Sequence, residues 1–275
     1  MNKIQAYKMD GLGNDFIIFD KRNESIFLTK DQIIKISDRK YLGCDQVIFI
    51  ENDKNNNIFL SFYNSDGSKA TACGNGSRCV AYLLMKEKSV KSISLKTKTG
   101  TLLAKLDANN LVCINIGHPV FDWEKIPLSK EINSENLKLN ISNYNGKKTN
   151  GGFALNVGNP HVVFFVDSLN EYDLKKIGPE IENNNLFPEK CNVTLASIKN
   201  DSHIKVKVWE RGAGLTKACG TAACATVVAS SALKLSKRKA NVEFTKGLLN
   251  IDWNLDNNIY MTGEVSEIKK IIVNI

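Results

Sequence analysis

Two cysteines have neighbours of the kind that make a thiol reactive. Cys73 and Cys219 lie at an offset of 146 residues, and each precedes a glycine that opens a helix-like stretch. The first N–H groups of a helix lack internal partners and lie at its positive dipole end, so they lower a thiol's pKa from about 8.5 and bind anions. The sequence therefore predicts two reactive thiols, each beside a place for a carboxylate.

The two cysteines belong to a long internal repeat. Residues 62–74 (FYNSDGSKATACG) match residues 208–220 (VWERGAGLTKACG) without a gap. GNDFIIF at 13–19 is repeated as GNPHVVF at 158–164, at an offset of 145. Between Cys44-Asp45-Gln46 and Cys191-Asn192 the register is ambiguous by one residue. The chain is thus predicted to contain two copies of one α+β unit.

Each copy carries one helix that is apolar on nearly all sides and must be buried. A sheet wrapped around that helix would bury it. We predict an α+β fold of two pseudo-symmetric domains, each a strongly curved, mostly antiparallel sheet around a central helix. The N-terminal domain would comprise residues 1–119 with 264–275 and carry Cys73, and the C-terminal domain would comprise residues 120–263 and carry Cys219.

A duplicated fold often packs its halves about a pseudo-twofold axis, which would set Cys73 opposite Cys219. One thiolate and one thiol could then remove a proton from one face of a substrate α-carbon and add one to the other. The two helix N-termini would stabilise the carbanion through its carboxylate. No pattern typical of a PLP or nicotinamide site is present, so we expect no cofactor.

Other polar residues recur beside the cysteine loops. Arg211 can make a bidentate contact with a carboxylate, or it can form a surface ion pair with Glu210. His161 follows Pro160 in an apolar strand and could be a satisfied core histidine. Four asparagines at matching places in both copies fit turns or ligand contacts: Asn14, Asn64, Asn159 and Asn192. Cys79, Cys113 and Cys224 lie in apolar segments and are interpreted as buried, inert thiols, while Cys44 and Cys191 stay unassigned.

Composition limits the other functions. The 275 residues carry a net charge of +8 and seven cysteines. The lysines are scattered among acidic residues, which favours a solvated surface over nucleic-acid binding. An odd number of cysteines without CxxC pairs argues against a disulfide framework and a zinc site, so no metal is predicted. Residues 1–20 lack the core of a signal peptide and no apolar run could span a bilayer, so we expect a soluble, cytoplasmic protein with no membrane partner.

Six segments together resemble the diaminopimelate epimerase family over nearly the whole chain. They are KMDGLGNDF (8–16), YLGCDQ (41–46), YNSDGS (63–68), ACGNGSRC (72–79), GNPH (158–161) and ERGAGLTKACGTAA (210–223). The resemblance implies a homodimer of two-domain subunits. It also implies conversion of LL-2,6-diaminopimelate to the meso form without a cofactor, on the route to lysine and peptidoglycan.

The resemblance assigns roles to individual residues. Cys73 and Cys219 would be the catalytic acid/base pair. The N–H groups around Gly74, Asn75, Gly220 and Thr221 would hold the reacting α-carboxylate. The substrate, its distal end above all, would be bound by Asn14, Asn64, Asn159, Asn192 and Arg211, while Gln46, His161 and Glu210 would line the site and position groups.

Two positions depart from the family pattern, and other functions stay open. Asp10 stands where the pattern usually has His, and Leu215 replaces a common acidic residue. The nearest alternative is a racemase for another amino acid on the same scaffold, although Arg211 favours a substrate with a distal carboxylate. A thiol-redox or metal-binding protein, and a non-catalytic binding protein, are the alternatives from other classes.

Overall fold

The chain divides into two units, and each is built around one buried helix. The computed structural model describes residues 3–55, 57–70 and 73–274, so Ala72 of the first cysteine motif lies outside the described residues. The first unit comprises Met1–Asn115 with Gly263–Ile275, and the second comprises Ile116–Thr262.

The first unit alternates short strands with two helices. Its helices are α1 (Lys30–Ser37) and α2 (Gly74–Lys88), and its strands are β1 (Lys3–Gly11), β2 (Asn14–Asp20), β3 (Gln46–Asn52), β4 (Ile58–Asn64), β5 (Lys69–Ala70), β6 (Ser92–Thr97), β7 (Gly100–Leu106), β8 (Val112–Gly117) and β19 (Lys269–Asn274). The strands pair in the order β19–β1–β2–β3–β4–β6–β7–β8, with β5 also beside β4. All of these pairs are antiparallel except β2 with β3 and β4 with β6.

The second unit repeats this order. Its helices are α3 (Leu174–Glu182) and α4 (Gly220–Ala232), with a 3-10 turn at Leu169–Glu171, and its strands are β9 (Leu139–Ser142), β10 (Lys148–Gly151), β11 (Phe153–Asn156), β12 (Pro160–Phe165), β13 (Asn192–Asn200), β14 (His203–Glu210), β15 (Gly214–Thr216), β16 (Lys239–Phe244), β17 (Gly247–Trp253) and β18 (Ile259–Gly263). Strands β11 to β18 pair in the same way as β1 to β8, with parallel pairs at β12/β13 and β14/β16. A separate hairpin, β9/β10, is inserted before them.

The central helices are enclosed by their own sheets. Helix α2 packs on β1, β2, β6 and β7, and α4 packs on β11, β12, β13, β16 and β17. In α4 the hydroxyls of Thr226 and Ser230 donate to carbonyls of the same helix, at 2.7 and 3.1 Å, so burial leaves them satisfied. The prediction of an α+β fold with mostly antiparallel sheets around central helices is confirmed. Among the described residues, no helix is long and apolar enough to cross a membrane.

Strand pairing removes the ambiguity in the repeat. In the first unit Gln46 lies opposite Asn64, and the next residue, Val47, lies opposite Tyr63. In the second unit Val193 lies opposite Trp209, so Asn192, one residue earlier, is the equivalent of Gln46. The offset between β3 and β13 is therefore 146, as it is between the two cysteines. At that offset Cys44 and Cys191 are not equivalent residues.

Gly76 in the first turn of α2 is fixed by packing. A Cβ at this position would lie 2.7 Å from the Ile48 side chain and 3.3 Å from the rings of Phe16 and Phe62. The equivalent residue of α4 is Ala222, and there the residues matching Ile48 and Phe62 are the smaller Thr194 and Val208.

We predict that Gly76→Ala lowers stability by about 1–3 kcal/mol through overpacking, although alanine is the better helix former. The matched variant Ala222→Gly should also destabilise the protein, because glycine has a lower helix propensity than alanine. Thermal unfolding followed by circular dichroism measures both effects. A rise in Tm for Gly76→Ala would show that the neighbouring side chains can make room.

Candidate active site

Cys73 occupies the N-cap position of α2. Its backbone is extended, with φ −146° and ψ 113°, and its Sγ accepts a hydrogen bond from the Gly76 N–H at 3.4 Å. The thiol also lies 3.8 Å from Oδ1 of Asn14, within reach for donation. The predicted placement of this cysteine at a helix N-terminus is what the structure shows.

A polar network holds Asn14 beside the Cys73 thiol. The Asn14 Nδ2 donates to Asp45 at 2.9 Å, and Arg39 forms ion pairs with both Asp45 and Asp15. Burial favours the neutral form of Asp15, but the hydrogen bond and charge of Arg39 outweigh burial and lower the pKa of this carboxyl below 3.8. Because Nδ2 faces Asp45, Oδ1 of Asn14 must face the thiol.

Asn75 links this network to a buried cation. Its Nδ2 lies 3.5 Å from Asn14 Oδ1, and its own Oδ1 accepts from Nη1 of Arg78 at 3.0 Å. Arg78 is completely buried. Sequence reasoning missed Arg78, Asp45 and Arg39, although Asp45 and Arg78 lie inside the quoted motifs YLGCDQ and ACGNGSRC.

Gln46 and Asn64 form a second polar pair in the first unit. They lie opposite each other on β3 and β4, and Gln46 Nε2 donates to Asn64 Oδ1 at 2.9 Å. The Asn64 Nδ2 in turn donates to the Ser68 hydroxyl at 3.1 Å. Oδ1 of Asn64 is thereby occupied, while the buried Oε1 of Gln46 has no hydrogen-bond partner among the described residues.

Cys219 occupies the N-cap position of α4 with nearly the same backbone angles, φ −138° and ψ 115°. Its surroundings are different, because it is only 5% exposed and its Sγ lies 3.4 Å from the Thr221 hydroxyl. Nε2 of His161 lies 3.0 Å from the same hydroxyl and 2.9 Å from Asn159 Oδ1. The structure therefore brings Asn159, His161 and Thr221 together beside Cys219.

The expectation of a lowered thiol pKa is wrong for Cys219. Burial and then the negative charge of Glu210 raise the pKa of this thiol well above 9.0, while the Thr221 hydroxyl lowers it by less. Burial also raises the pKa of Cys44 to about 11, and it raises the pKa of Cys79 and Cys191. The helix N-terminus is present at Cys219, but desolvation outweighs it.

Glu210 and Arg211 begin a tight loop, held in place by side chains from other elements. The Arg211 N–H donates to Oδ1 of Asn192 at 3.0 Å, and Nδ2 of Asn192 donates to the Pro160 carbonyl at 2.9 Å. The exposed Arg211 guanidinium donates to the Glu189 carbonyl at 2.8 Å. Both ends of the Asn192 amide are thus used to join the start of β12 to the loop after β14.

The remaining predicted residues are placed more simply. Gly74 and Gly220 are the first residues of α2 and α4. Asp10, a departure from the family pattern, accepts from the Gly13 N–H at 2.8 Å and so fixes the β1–β2 turn. Leu215 is 47% exposed on β15, and nothing in the structure explains its choice. Among the described residues, no group of three or more His, Cys, Asp or Glu could hold a metal ion.

The chain is similar to known proteins over both copies of its internal repeat. A sequence model described as diaminopimelate epimerase matches residues 6–121 and 153–268, which include both cysteines. The chain belongs to the diaminopimelate epimerase family. As a member of this family, it is an isomerase.

Relatives with this name match the chain along its length. A diaminopimelate epimerase of Pelagibacter ubique is 56% identical over 268 residues, covering 98% of each chain. One from Caulobacter vibrioides is 42% identical over 94% of this chain and 93% of its own. Among solved structures, a predicted epimerase from Pseudomonas aeruginosa has a TM-score of 0.69 at 14% identity, over 98% of this chain and 99% of that chain. This last likeness supports the fold alone.

Buried His161 makes stability depend on pH. Burial, followed by the charge of Arg211, lowers the pKa of His161 from 6.5 to about 3, so the folded protein keeps it neutral. The unfolded chain binds a proton near pH 6.5, so this contribution to stability is full above that pH and is lost as the pH falls toward 3. Between pH 6.5 and 4.5 the loss is about 2 kcal/mol.

We predict that His161→Gln flattens the pH dependence of the free energy of unfolding between pH 6.5 and 4.5. Urea unfolding at several pH values measures it. The exposed His118→Gln is the matched control and should keep the wild-type slope. An unchanged slope in His161→Gln would contradict a neutral, buried histidine.

We predict that Glu210→Gln increases the rate at which iodoacetamide alkylates Cys219 near pH 8. Removing the negative charge lowers the pKa of the thiol, so more thiolate is present at a given pH. Mass spectrometry of the Cys219 peptide gives the rate, with exposed Glu131→Gln as the control. A slower or equal rate would show that the Glu210 charge does not act on this sulfur.

Proposed function

We propose that the chain converts LL-2,6-diaminopimelate to the meso form without a cofactor, with Cys73 and Cys219 as the acid/base pair. One observation carries the proposal. The two cysteines hold the same N-cap position, with nearly the same backbone angles, on equivalent helices of a repeated unit. The choice of diaminopimelate as the substrate rests on the names of the Pelagibacter ubique and Caulobacter vibrioides relatives.

The reaction takes one proton from the α-carbon and returns one to its opposite face. A thiolate removes the α-proton, and the electron pair of the C–H bond remains on the α-carbon and spreads into the carboxylate. The second thiol then donates its proton to the other face, so the two sulfurs exchange protonation states. The raised pKa of Cys219 supports a resting state in which this sulfur carries the proton.

The helix N-termini supply the sites for the reacting carboxylate. The first helical hydrogen bonds run from Ser77 N to the Cys73 carbonyl and from Ala223 N to the Cys219 carbonyl, at 2.8 and 3.1 Å. The N–H groups of Gly74, Asn75, Gly220 and Thr221 precede them, where helix geometry provides no internal acceptor. Donors fixed before the reaction stabilise the charge that develops on the carboxylate without reorganising.

The distal end of the substrate carries an ammonium and a second carboxylate. Oε1 of Gln46 is an acceptor suited to the ammonium, and the guanidinium of Arg211 is suited to the carboxylate. Asn14, Asn64, Asn159, His161 and Glu210 complete the set of contacts. Because both amide ends of Asn192 are engaged, we assign it to holding Arg211 in place.

The wider setting of the enzyme follows the family resemblance. We propose that the chain has the two domains expected from the duplication, residues 1–119 with 264–275 and residues 120–263. We also propose a cytoplasmic homodimer that supplies meso-diaminopimelate for lysine and peptidoglycan synthesis.

We predict that Cys73→Ala and Cys219→Ala each stay folded and lose at least about 100-fold of the epimerisation rate, the scale of one general acid or base. Proton NMR of LL-diaminopimelate in D2O, with reduced enzyme and no cofactor, follows formation of the meso isomer together with deuterium entry at the α-carbon. Cys113→Ala, which removes a buried thiol on β8, is the matched control and should stay active.

The same assay separates the alternatives. Full activity of either alanine variant would end the two-base mechanism. Exchange with another amino acid but not with diaminopimelate would identify a racemase on this scaffold. No exchange in protein whose thiols are all reduced would favour a thiol-redox function.

A further inference from the structure

Glu182 at the end of α3 is a buried carboxylate that the proposed reaction does not use. Its side chain is 7% exposed. Oε2 accepts from the indole Nε1 of Trp209 at 2.7 Å, and Oε1 accepts from the Gly212 N–H at 3.1 Å. The half-exposed Lys190 ammonium lies 3.8 Å from Oε1. Burying a charge is unfavourable unless hydrogen bonds compensate for it, so these donors select one position for the carboxylate.

The two donors lie on either side of the Glu210–Arg211 pair. Trp209 precedes Glu210 at the end of β14, and Gly212 follows Arg211 in the loop. Glu210 acts on the Cys219 thiol, and the Arg211 guanidinium is proposed for the distal carboxylate. Glu182 thus binds the residues immediately before and immediately after Glu210 and Arg211, the two residues proposed to act in the site.

A second contact from the same helix fixes the indole. Gly178 lies one turn before Glu182, on the same face of α3. A Cβ at Gly178 would lie 2.4 Å from Cγ and Cδ2 of Trp209, so the ring packs directly on the helix backbone. The ring position and the direction of its N–H are therefore both set by α3.

Resting on the proposed function, we propose that Glu182 is a positioning residue that acts through Trp209 and Gly212 to set Glu210 at the Cys219 thiol and Arg211 toward the substrate. Only a carboxylate can accept one hydrogen bond at each of two oxygens. A glutamine at this position has one acceptor and one donor end, so its amide N–H would face either the indole N–H or the Gly212 N–H. Glu182→Gln is therefore more disruptive than its shape suggests.

The test compares Glu182→Gln with Glu180→Gln, which changes an exposed carboxylate on the same helix. At a temperature where circular dichroism shows both variants folded, Glu182→Gln should lower kcat/KM on LL-diaminopimelate by about tenfold or more, with KM raised. Its Cys219 should be alkylated by iodoacetamide faster than in the wild type, with Cys73 in the same sample as internal reference. Glu180→Gln should match the wild type in both readouts.

Two double variants show whether the effect passes through the named contacts. In Glu182→Gln/Trp209→Phe the indole donor is absent, so the amide can turn its oxygen to Gly212 and part of the loss should be recovered. In Glu182→Gln/Glu210→Gln the alkylation rate of Cys219 should equal that of Glu210→Gln alone. If Glu182→Gln does not fold, Trp209→Phe alone should show a smaller change in the same direction.

A merely structural role predicts a lower Tm with unchanged kcat, KM and Cys219 reactivity in the folded protein, and that result would overturn the proposal. Additive effects in the Glu182/Glu210 double variant would also overturn it. Failure of the proposed function can be distinguished from failure of this proposal. If the wild type has no epimerase activity, the Cys219 alkylation rates of the variants can still be compared. Faster Cys219 alkylation in Glu182→Gln would then still support the positioning role.

Discussion

In each unit, the surroundings of the cysteine motif depend on how a buried helix begins. The N–H groups of a helix's first turn need acceptors, and a helix wrapped by a sheet leaves little room for water to supply them. In α2 the extended backbone of Cys73 lets its Sγ accept from the Gly76 N–H at 3.4 Å. The same backbone geometry recurs at Cys219. The Cys73 thiol therefore caps its helix, and at both N-caps the sulfur proposed for proton transfer lies beside N–H donors suited to a carboxylate.

The two copies have diverged in what surrounds that thiol. Cys73 is near an amide network that ends in charged groups, Arg39 and Arg78 among them. Cys219 is almost fully buried. Its neighbours are a neutral histidine, His161, and the carboxylate of Glu210, and neither of them stabilises a thiolate. A two-base reaction needs one sulfur protonated and one ionised at the start of each turnover. Burial and the charge of Glu210 at Cys219 favour the protonated state that the proposed reaction needs at one of its two sulfurs.

The architecture could be predicted from the sequence because the repeat is preserved at the helix N-caps and at the starts of the paired strands. The offset of 146 holds for both cysteines and for Gln46 and Asn192, which the strand pairing places at equivalent positions. The pKa direction at Cys219 could not be predicted in the same way. The helix N-terminus is visible in the motif, whereas burial and the approach of Glu210 arise from packing. Glu182 and Trp209 are 27 residues apart on different elements, and no spacing rule connects such a pair.

The polar groups proposed to meet the substrate lie mostly at the ends of strands and at helix N-termini, beside loops that other elements hold in place. Here the tethers come from residues in or next to regular structure: Asp45, just before β3, orients Asn14, Asn192 at the start of β13 holds Arg211, and α3 holds Trp209 and Gly212. Each tether is a side chain that accepts a hydrogen bond from the residue it holds, and two of them, Asp45 and Glu182, are carboxylates. Because the buried Glu182 carboxylate tolerates only the geometry that satisfies its oxygens, it fixes the loop after β14 more narrowly than apolar packing could. Preorganisation of this kind lets binding energy go into the reaction instead of into ordering the site.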